Sequence, residues 1–274
     1  MTPFVDPAAL RPGDVLLMRG IGPVSDLIAW FGDSSYSHAA VMVDGTSFVE
    51  AAAPVSRRVR LADRLAQGAY YDFIDVLRPT RGNGEPLDDA ARAAIADGAN
   101  ACLDVPYPLD ALWQMAVFAT LRNRVPADAG VRWLLRELIE HLIADDPSHM
   151  VCSELVYRAC LAADLPPALI VSAQLDLPFP KIDVAELIRE WREASGKQHT
   201  APTAASPDGP MLASEDALRE SFARLRATRT IAPAALGMPP VLRPSPRDVM
   251  PVDLETSPQL RRLGRLPLTV TASG

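Results

Sequence analysis

Two short strand-like runs around an Asp-Gly pair place the strongest constraint on how this chain can fold. Residues 38–43 and 46–51 are rich in apolar and strand-forming side chains, and Asp44-Gly45 stands between them. An Asp-Gly pair between two such runs favours a tight hairpin turn. The segment therefore predicts an antiparallel hairpin, with His38 at the start of its first strand and Glu50 near the end of its second.

Further strands and helices are predicted on both sides of the hairpin. Residues 12–20 predict a Pro-Gly-Asp turn followed by a short buried strand, and a further strand is predicted over residues 71–77. Apolar residues at helical spacing predict helices over residues 23–32, 86–103, 109–121 and 131–143. A last helix is predicted to follow the start signal Asp145-Asp146-Pro147-Ser148 and to carry Cys152.

Charge and composition exclude several classes of protein. The chain has 274 residues and a hydrophobic fraction of 49%, which is enough apolar material for a folded core. Its net charge is -7 and its pI is near 5.2, and a chain this acidic without a long basic cluster is a poor candidate for binding nucleic acid. The strongest apolar stretch, residues 111–121, is about half the length that spans a bilayer, so membrane association is not predicted.

The cysteines and the first residues bear on the cellular compartment. Cys102, Cys152 and Cys160 form no disulfide framework, because their number is odd and their spacing irregular. Reduced thiols favour a cytoplasmic setting. Residues 1–6 contain neither a basic nor an apolar region, so we expect no signal peptide, which leaves secretion by a signal-independent route open.

Cys152 is the candidate for chemistry, because the sequence places it near the N-terminus of a helix. Backbone N–H groups and the helix dipole stabilise a thiolate there, and they can also stabilise a developing oxyanion. A nearby base activates such a thiol further, and a third polar group usually orients the base. The pattern predicts Cys152 as nucleophile, His38 as base and Glu50 as the orienting group across the hairpin, with the thiol open to solvent.

Two other interpretations of these residues stay open. His149 stands three residues before Cys152 and is a rival base. A metal ion could alternatively have its ligands among His38, His141, His149 and Cys152. No pair of these four has the usual spacing of zinc ligands, so we expect no metal and no cofactor.

Four segments together give the chain a family resemblance. They are Arg11-Pro12-Gly13-Asp14-Val15-Leu16-Leu17, Ser37-His38-Ala39-Ala40-Val41-Met42-Val43, Phe48-Val49-Glu50-Ala51 and Val151-Cys152-Ser153-Glu154-Leu155-Val156-Tyr157. In this order they resemble the permuted papain-like amidases of the YiiX/YaeF type, within the NlpC/P60 superfamily, in which the His strand precedes the Cys helix. The resemblance implies an α+β fold, papain-like and circularly permuted, with an antiparallel sheet packed against helices. It assigns catalysis to Cys152, His38 and Glu50, and substrate binding to Tyr107 and Ser37.

The resemblance also predicts how the chain is divided. It is carried by roughly residues 10–165, and we expect residues 1–195 to form the permuted papain-like catalytic domain. Residues 196–240 predict a linker or insertion that is partly disordered, because their first part is rich in Ser, Pro, Ala, Thr and Gly. Residues 241–274 are expected to return to the catalytic domain, since residues 248–258 resemble the terminal segment of such proteins.

The function that the resemblance implies is that of a cysteine peptidase or amidase, which cleaves an amide bond through a thioacyl-enzyme. The expected substrate is a cell-wall peptide or another short peptide. Lipid acyl hydrolysis or acyl transfer on the same fold is an alternative, in which the apolar region over residues 109–143 would receive acyl chains. A non-catalytic binding module is a third interpretation, and the sequence does not determine the oligomeric state.

Overall fold

The structure is a computed structural model, and it describes residues 2–31, 34–107, 150–170, 186, 189–190, 241–242, 246 and 249–269. Several sequence hypotheses lie outside these residues: the helices over residues 109–121 and 131–143, the start signal over residues 145–148, the rival base His149 and the linker over residues 196–240. These hypotheses stay predictions.

One antiparallel sheet of six strands forms the centre of the described chain. Its strands are β1 (Val15–Gly20), β2 (His38–Met42), β3 (Ser47–Glu50), β4 (Arg57–Arg60), β5 (Tyr71–Pro79) and β8 (Leu260–Arg265). They lie in the order β4-β3-β2-β1-β5-β8, and every neighbouring pair is antiparallel. A separate two-stranded sheet is formed by β6 (Leu169–Ile170) and β7 (Val241–Leu242).

The helices whose bounds are described are α1 (Pro23–Phe31), α2 (Leu61–Leu65), α3 (Asp89–Asn100), α4 (Cys152–Ala162) and α5 (Pro251–Thr256). Both α3 and α4 pack against β2 and against each other. The fold is therefore α+β, with an antiparallel sheet packed against helices, as the sequence predicts. None of the helices in the described ranges is both long and apolar enough to cross a bilayer.

The two faces of the sheet belong to different apolar clusters. Leu17 lies in the cluster that also contains Leu155 of α4, whereas Leu16 and Met18 lie in the cluster on the opposite face. Side chains alternate between the faces along a strand, so both faces of β1 are buried. This burial explains why residues 15–18 form a continuous apolar run.

The loop between β2 and β3 differs from the two-residue Asp-Gly turn that the sequence suggests. The Val43 N–H donates to the Ser47 carbonyl at 2.9 Å, which leaves a loop of three residues. Gly45 does not have the positive φ that a type I′ turn requires. Instead the Asp44 carboxylate accepts hydrogen bonds from the N–H groups of Thr46 and Ser47, at 2.7 and 2.6 Å.

This extra loop residue decides whether His38 and Glu50 can meet. A two-residue turn at Asp44-Gly45 would direct their side chains to opposite faces of the sheet, because a shift of one residue exchanges the faces. In the observed register Ala40 lies opposite Glu50. Glu50 is therefore diagonally across from His38 rather than directly opposite, and the two side chains share one face.

A buried carboxylate fixes the loop that leads into β2. Asp75 in β5 is fully buried and accepts hydrogen bonds from the Tyr36 hydroxyl and from Arg265 Nε, each at 2.8 Å. Burial and the neighbouring Asp75 raise the pKa of Tyr36, so its hydroxyl stays protonated. Because Arg265 belongs to β8, residues 260–265 help to position the segment just before His38. The division of the chain at residues 195 and 240 stays a prediction.

Gly98 allows α3 and α4 to approach each other closely. A β-carbon at position 98 would lie 2.7 Å from the Ala159 carbonyl oxygen and 2.9 Å from the Ala162 β-carbon. The Ala159 carbonyl is part of the helix backbone and cannot rotate away, so one helix would have to move. Gly98 weakens the helix propensity of α3, but it is required for the close packing of α3 against α4, the helix that carries Cys152.

Replacing Gly98 with alanine is expected to lower the free energy of unfolding by about 1–3 kcal/mol, because the added methyl group overpacks the α3–α4 contact. Gly45→Ala is the matched control, since the nearest atom to its added β-carbon is the Leu10 carbonyl oxygen at 3.9 Å. The control should be neutral or slightly stabilising. Urea unfolding measures both, and an unchanged midpoint for Gly98→Ala would contradict the close contact of the helices.

Candidate active site

Cys152 is the first residue of α4. Val151 is the N-cap of this helix and makes no side-chain capping hydrogen bond. The helix therefore begins at Cys152 itself. The Ser153 hydroxyl donates to the Val249 carbonyl at 2.7 Å and fixes the first turn. The N–H groups and the positive end of the helix dipole consequently lie beside the Cys152 sulfur.

His38 and Glu50 form a direct hydrogen bond. His38 Nε2 lies 2.8 Å from Glu50 Oε2, and the Glu50 side chain is fully buried. Since Nε2 faces the carboxylate, Nδ1 is the ring nitrogen left to meet the Cys152 thiol.

The Cys152 thiol is the second partner of the imidazole. Burial on its own lowers the pKa of His38, but hydrogen bonds with Cys152 and Glu50, together with the charge of Glu50, raise it to about 9. The imidazole is therefore protonated at neutral pH, which is the state that pairs with a thiolate. The structure thus brings together Cys152, His38 and Glu50 in one connected group.

Two arginines hold Glu50 in place. Arg64 Nη2 donates to both Glu50 carboxylate oxygens, at 2.7 and 2.8 Å, and Arg57 Nε donates to Oε1 at 3.1 Å. Arg64 is only 5% exposed, also bonds to the Tyr71 hydroxyl, and lies over the Phe48 ring. With His38, three side chains therefore donate to Glu50 and fix its orientation.

No local sequence pattern marks these arginines as part of the site. Residues 57–60 appear in the sequence as a short basic cluster, yet they form β4, whose register pairs Arg57 with Glu50. A strand prediction for this cluster would have found Arg57. Arg64 lies in α2, which has five residues, too few for a helical period to be recognised.

The charge of Glu50 is maintained by its neighbours. Burial would raise the pKa of Glu50, but the hydrogen bond and charge of His38, with the charges of Arg64 and Arg57, lower it to about 2. Glu50 is therefore ionised at neutral pH and serves as a fixed acceptor for the His38 ring.

A cavity of about 590 Å³ opens beside this group. Its lining includes His38, Glu50 and Tyr107. Burial, and next the charges of Cys152 and Glu50, raise the pKa of Tyr107, so its phenol stays neutral and can donate a hydrogen bond. The structure thus places Tyr107 where the predicted substrate-binding role requires it, and the role itself stays a prediction.

Ser37 also lines the cavity, but its hydroxyl is engaged with the backbone. Ser37 Oγ accepts from the Gly20 N–H at 2.9 Å, and the residue is 3% exposed. This bond joins the end of β1 to the residue before His38. Ser37 therefore positions the start of β2, and its contact with substrate stays a prediction.

Cys152 is less accessible than the sequence hypothesis requires. It is 3% exposed and belongs to the same apolar cluster as Met150 and Tyr157. The Met150 N–H donates to the Pro106 carbonyl at 3.0 Å, so the segment before α4 packs against the chain near Tyr107. The expectation of an open thiol is wrong: Cys152 is not among the described residues that line the cavity.

Comparisons with known proteins do not place the chain in a family. No family model matches the sequence, and no curated protein matches it. Among solved structures, the chain is similar to the crystal structure of metalloprotein yiiX from Escherichia coli O157:H7, DUF1105, with 13% sequence identity and a TM-score of 0.44, over 93% of this chain and 97% of that chain. A likeness this weak establishes neither a shared fold nor a shared site. Within the described ranges, no three His, Cys, Asp or Glu side chains are grouped so as to hold a metal ion.

Proposed function

We propose that this chain is a cysteine hydrolase, of the peptidase or amidase type, that cleaves an amide bond in a cell-wall peptide or another short peptide. The observation that supports this is the connected group of Cys152 at the start of α4, His38, and the buried Glu50 at 2.8 Å from His38 Nε2. Covalent catalysis requires a nucleophile beside a base that a third group orients. The order of His strand before Cys helix agrees with a permuted papain-like arrangement of the NlpC/P60 type, which is part of the proposal.

The reaction would proceed in two steps. The Cys152 thiolate attacks the carbonyl carbon and forms a sulfur–carbon bond, while the N–H groups at the start of α4 stabilise the oxyanion. His38 gives its proton to the amide nitrogen, the carbon–nitrogen bond breaks and the amine leaves. Water then attacks the thioester and passes a proton to His38, and the acyl group leaves as a carboxylic acid. Glu50 stabilises the imidazolium in both steps.

The substrate has to reach a sulfur that is 3% exposed. The cavity of about 590 Å³ that His38 and Tyr107 line lies beside the site and offers an approach. Hydrolysis therefore requires that the groups covering Cys152 move when a substrate carbonyl enters. This requirement makes the reactivity of the thiol in solution part of the test.

Mass spectrometry of the intact protein tests the proposal. Incubation with a library of acetylated peptides is expected to add an acyl mass to the wild type at Cys152, and none to Cys152→Ala. Short-chain phospholipid esters form the second arm, and an adduct from esters alone would favour lipid acyl chemistry instead. If neither arm gives an adduct and iodoacetamide alkylates Cys152 slowly, the chain is a binding module and the hydrolase proposal fails.

The kcat/KM for amide hydrolysis is expected to fall as the pH rises through about 9, the pKa of His38. Burial on its own lowers the pKa of His38, but the hydrogen bonds with Cys152 and Glu50 outweigh the effect of burial. They keep the proton on the ring at pH values well above 6.5, the ordinary pKa of histidine. Above pH 9 His38 lacks the proton that the leaving amine needs. A pH–rate profile on both sides of pH 9 measures this, and a decline centred near pH 6.5 would contradict the contacts of His38.

A further inference from the structure

The described lining of the cavity beside His38 carries an excess of positive charge. Three of its described lining residues are basic, His38, Arg57 and Arg64, and one is acidic, Glu50. The raised pKa of His38 keeps its ring protonated at neutral pH. Glu50 and a Cys152 thiolate beside His38 would together neutralise only two of these three cations, so the electrostatic field of the described lining still favours a ligand with a negative group.

Arg64 is already engaged within the protein. Its side chain is 5% exposed, its Nη2 bonds to both carboxylate oxygens of Glu50, and its Nη1 donates to the Tyr71 hydroxyl. Its Nε has no hydrogen-bond partner among the described residues but is buried, so a ligand would have to displace the side chain in order to bind it. Arg64 is therefore a positioning residue for Glu50.

Arg57 is the cation that a ligand can reach. Its side chain is 48% exposed, its Nε donates to Glu50 at 3.1 Å, and its Nη1 makes a long contact of 3.4 Å to the Ala53 carbonyl. A guanidinium group has five N–H donors. Arg57 Nη2 also lies 3.1 Å from Glu50 Oε1, so Nε and Nη2 both face Glu50 on one edge of the guanidinium. Of the five donors, one N–H on Nη1 and one on Nη2 remain at the opposite end of the group, and two such parallel donors fit a carboxylate.

Arg57 also lies close to the reacting atoms. Arg57 and His38 hydrogen-bond to the same Glu50 carboxylate, at 3.1 and 2.8 Å. A group held by the guanidinium is consequently near the imidazole that would protonate the leaving amine. Any negative group that Arg57 binds belongs to the part of the substrate around the scissile amide.

We infer that Arg57 is a specificity-determining residue that binds a carboxylate, and that the substrate is a short peptide with a free carboxylate close to the scissile amide. The inference rests on the proposed function, since the cavity receives a substrate only if Cys152 acts there. A peptide C-terminus and an Asp or Glu side chain offer the same carboxylate chemistry, and the experiment separates them.

Binding to the Cys152→Ala variant, which cannot form the acyl-enzyme, tests the inference. The probes are three pools of N-acetylated dipeptides: free acids with neutral side chains, the same peptides as C-terminal amides, and C-terminal amides with a Glu side chain. Ultrafiltration and mass spectrometry measure the retained fraction. At least one carboxylate pool should bind about tenfold more tightly than the neutral amides, and the pool that does so identifies the source of the carboxylate.

Arg57→Gln, added to Cys152→Ala, is expected to abolish this preference. Arg58→Gln is the matched control, because it makes the same change of charge on β4 but pairs with the exposed Asp44 instead. Arg57→Lys keeps the positive charge but lacks the two parallel N–H donors of a guanidinium group. It should therefore give an intermediate preference for the carboxylate peptides. Thermal unfolding of each variant shows whether it is folded.

Four results would overturn the inference. Either none of the three pools binds, or the carboxylate pools bind no more tightly than the neutral amides. The other two are a carboxylate preference that survives Arg57→Gln and one that Arg58→Gln also abolishes. The proposed hydrolysis fails in a different way. In that case carboxylates bind through Arg57, but the wild type forms no acyl adduct on Cys152. The two failures are therefore distinguishable.

Discussion

Cys152→Ala is expected to reduce amide hydrolysis by a factor of about 10³ or more, because the covalent intermediate requires the sulfur. The Cys152 side chain contacts His38, and the start of α4 places backbone N–H groups beside it. Alanine removes the nucleophile and leaves these elements in place. The rate of product formation and the acyl mass on the intact protein both measure the effect.

Cys160→Ala is the matched control for this substitution. Cys160 is fully buried on the same helix, and burial raises its pKa to about 12, so it stays a protonated thiol. The control makes the same chemical change in the same apolar cluster and is expected to keep its activity. If both variants lost activity equally, the loss would come from packing of α4, and Cys152 would have no special role.

The hairpin shows how far the sequence predicts this fold. The Asp-Gly pair and the apolar runs predicted two paired strands, and the structure has β2 and β3 there. The register could not be predicted, because Asp44 caps a loop of three residues through local hydrogen bonds that compete with the type I′ turn. The one extra residue in this loop sets which face of the sheet Glu50 occupies. The sequence thus predicted that the two strands exist, but it did not predict the register in which they pair.

The candidate site, too, has residues that the sequence predicted and contacts that it did not predict. Cys152, His38 and Glu50 were identified because each stands at a position that local pattern defines, the start of a helix or a strand end. The contact between Arg64 and Glu50 depends on how α2 folds back over β3, and no local pattern specifies that. The burial of Cys152 likewise depends on packing between Met150 and distant segments. Long-range packing is therefore what the sequence left undetermined.

Glu50→Gln is expected to lower the free energy of unfolding at neutral pH by about 3 kcal/mol, because the buried Arg64 loses its charged partner. Burial opposes the ionisation of Glu50, but His38, Arg64 and Arg57 lower its pKa from 4.5 to about 2. A carboxyl group with a depressed pKa stabilises the fold above pH 4.5 and loses this contribution as the pH falls towards 2. Urea unfolding at a series of pH values should therefore show a difference between the two proteins that shrinks below pH 4.5.

The double variant Glu50→Gln/Arg64→Met separates the ion pair from the packing around it. Removing both charges leaves no buried arginine without its carboxylate, so the double variant should lose less stability than the sum of the two single variants. Glu50→Gln should also move the alkaline decline of kcat/KM below pH 9, because His38 loses the negative charge that helps to hold its proton. A stability loss that is independent of pH, with the decline unmoved, would mean that Glu50 packs in the site without acting as the charged partner of His38.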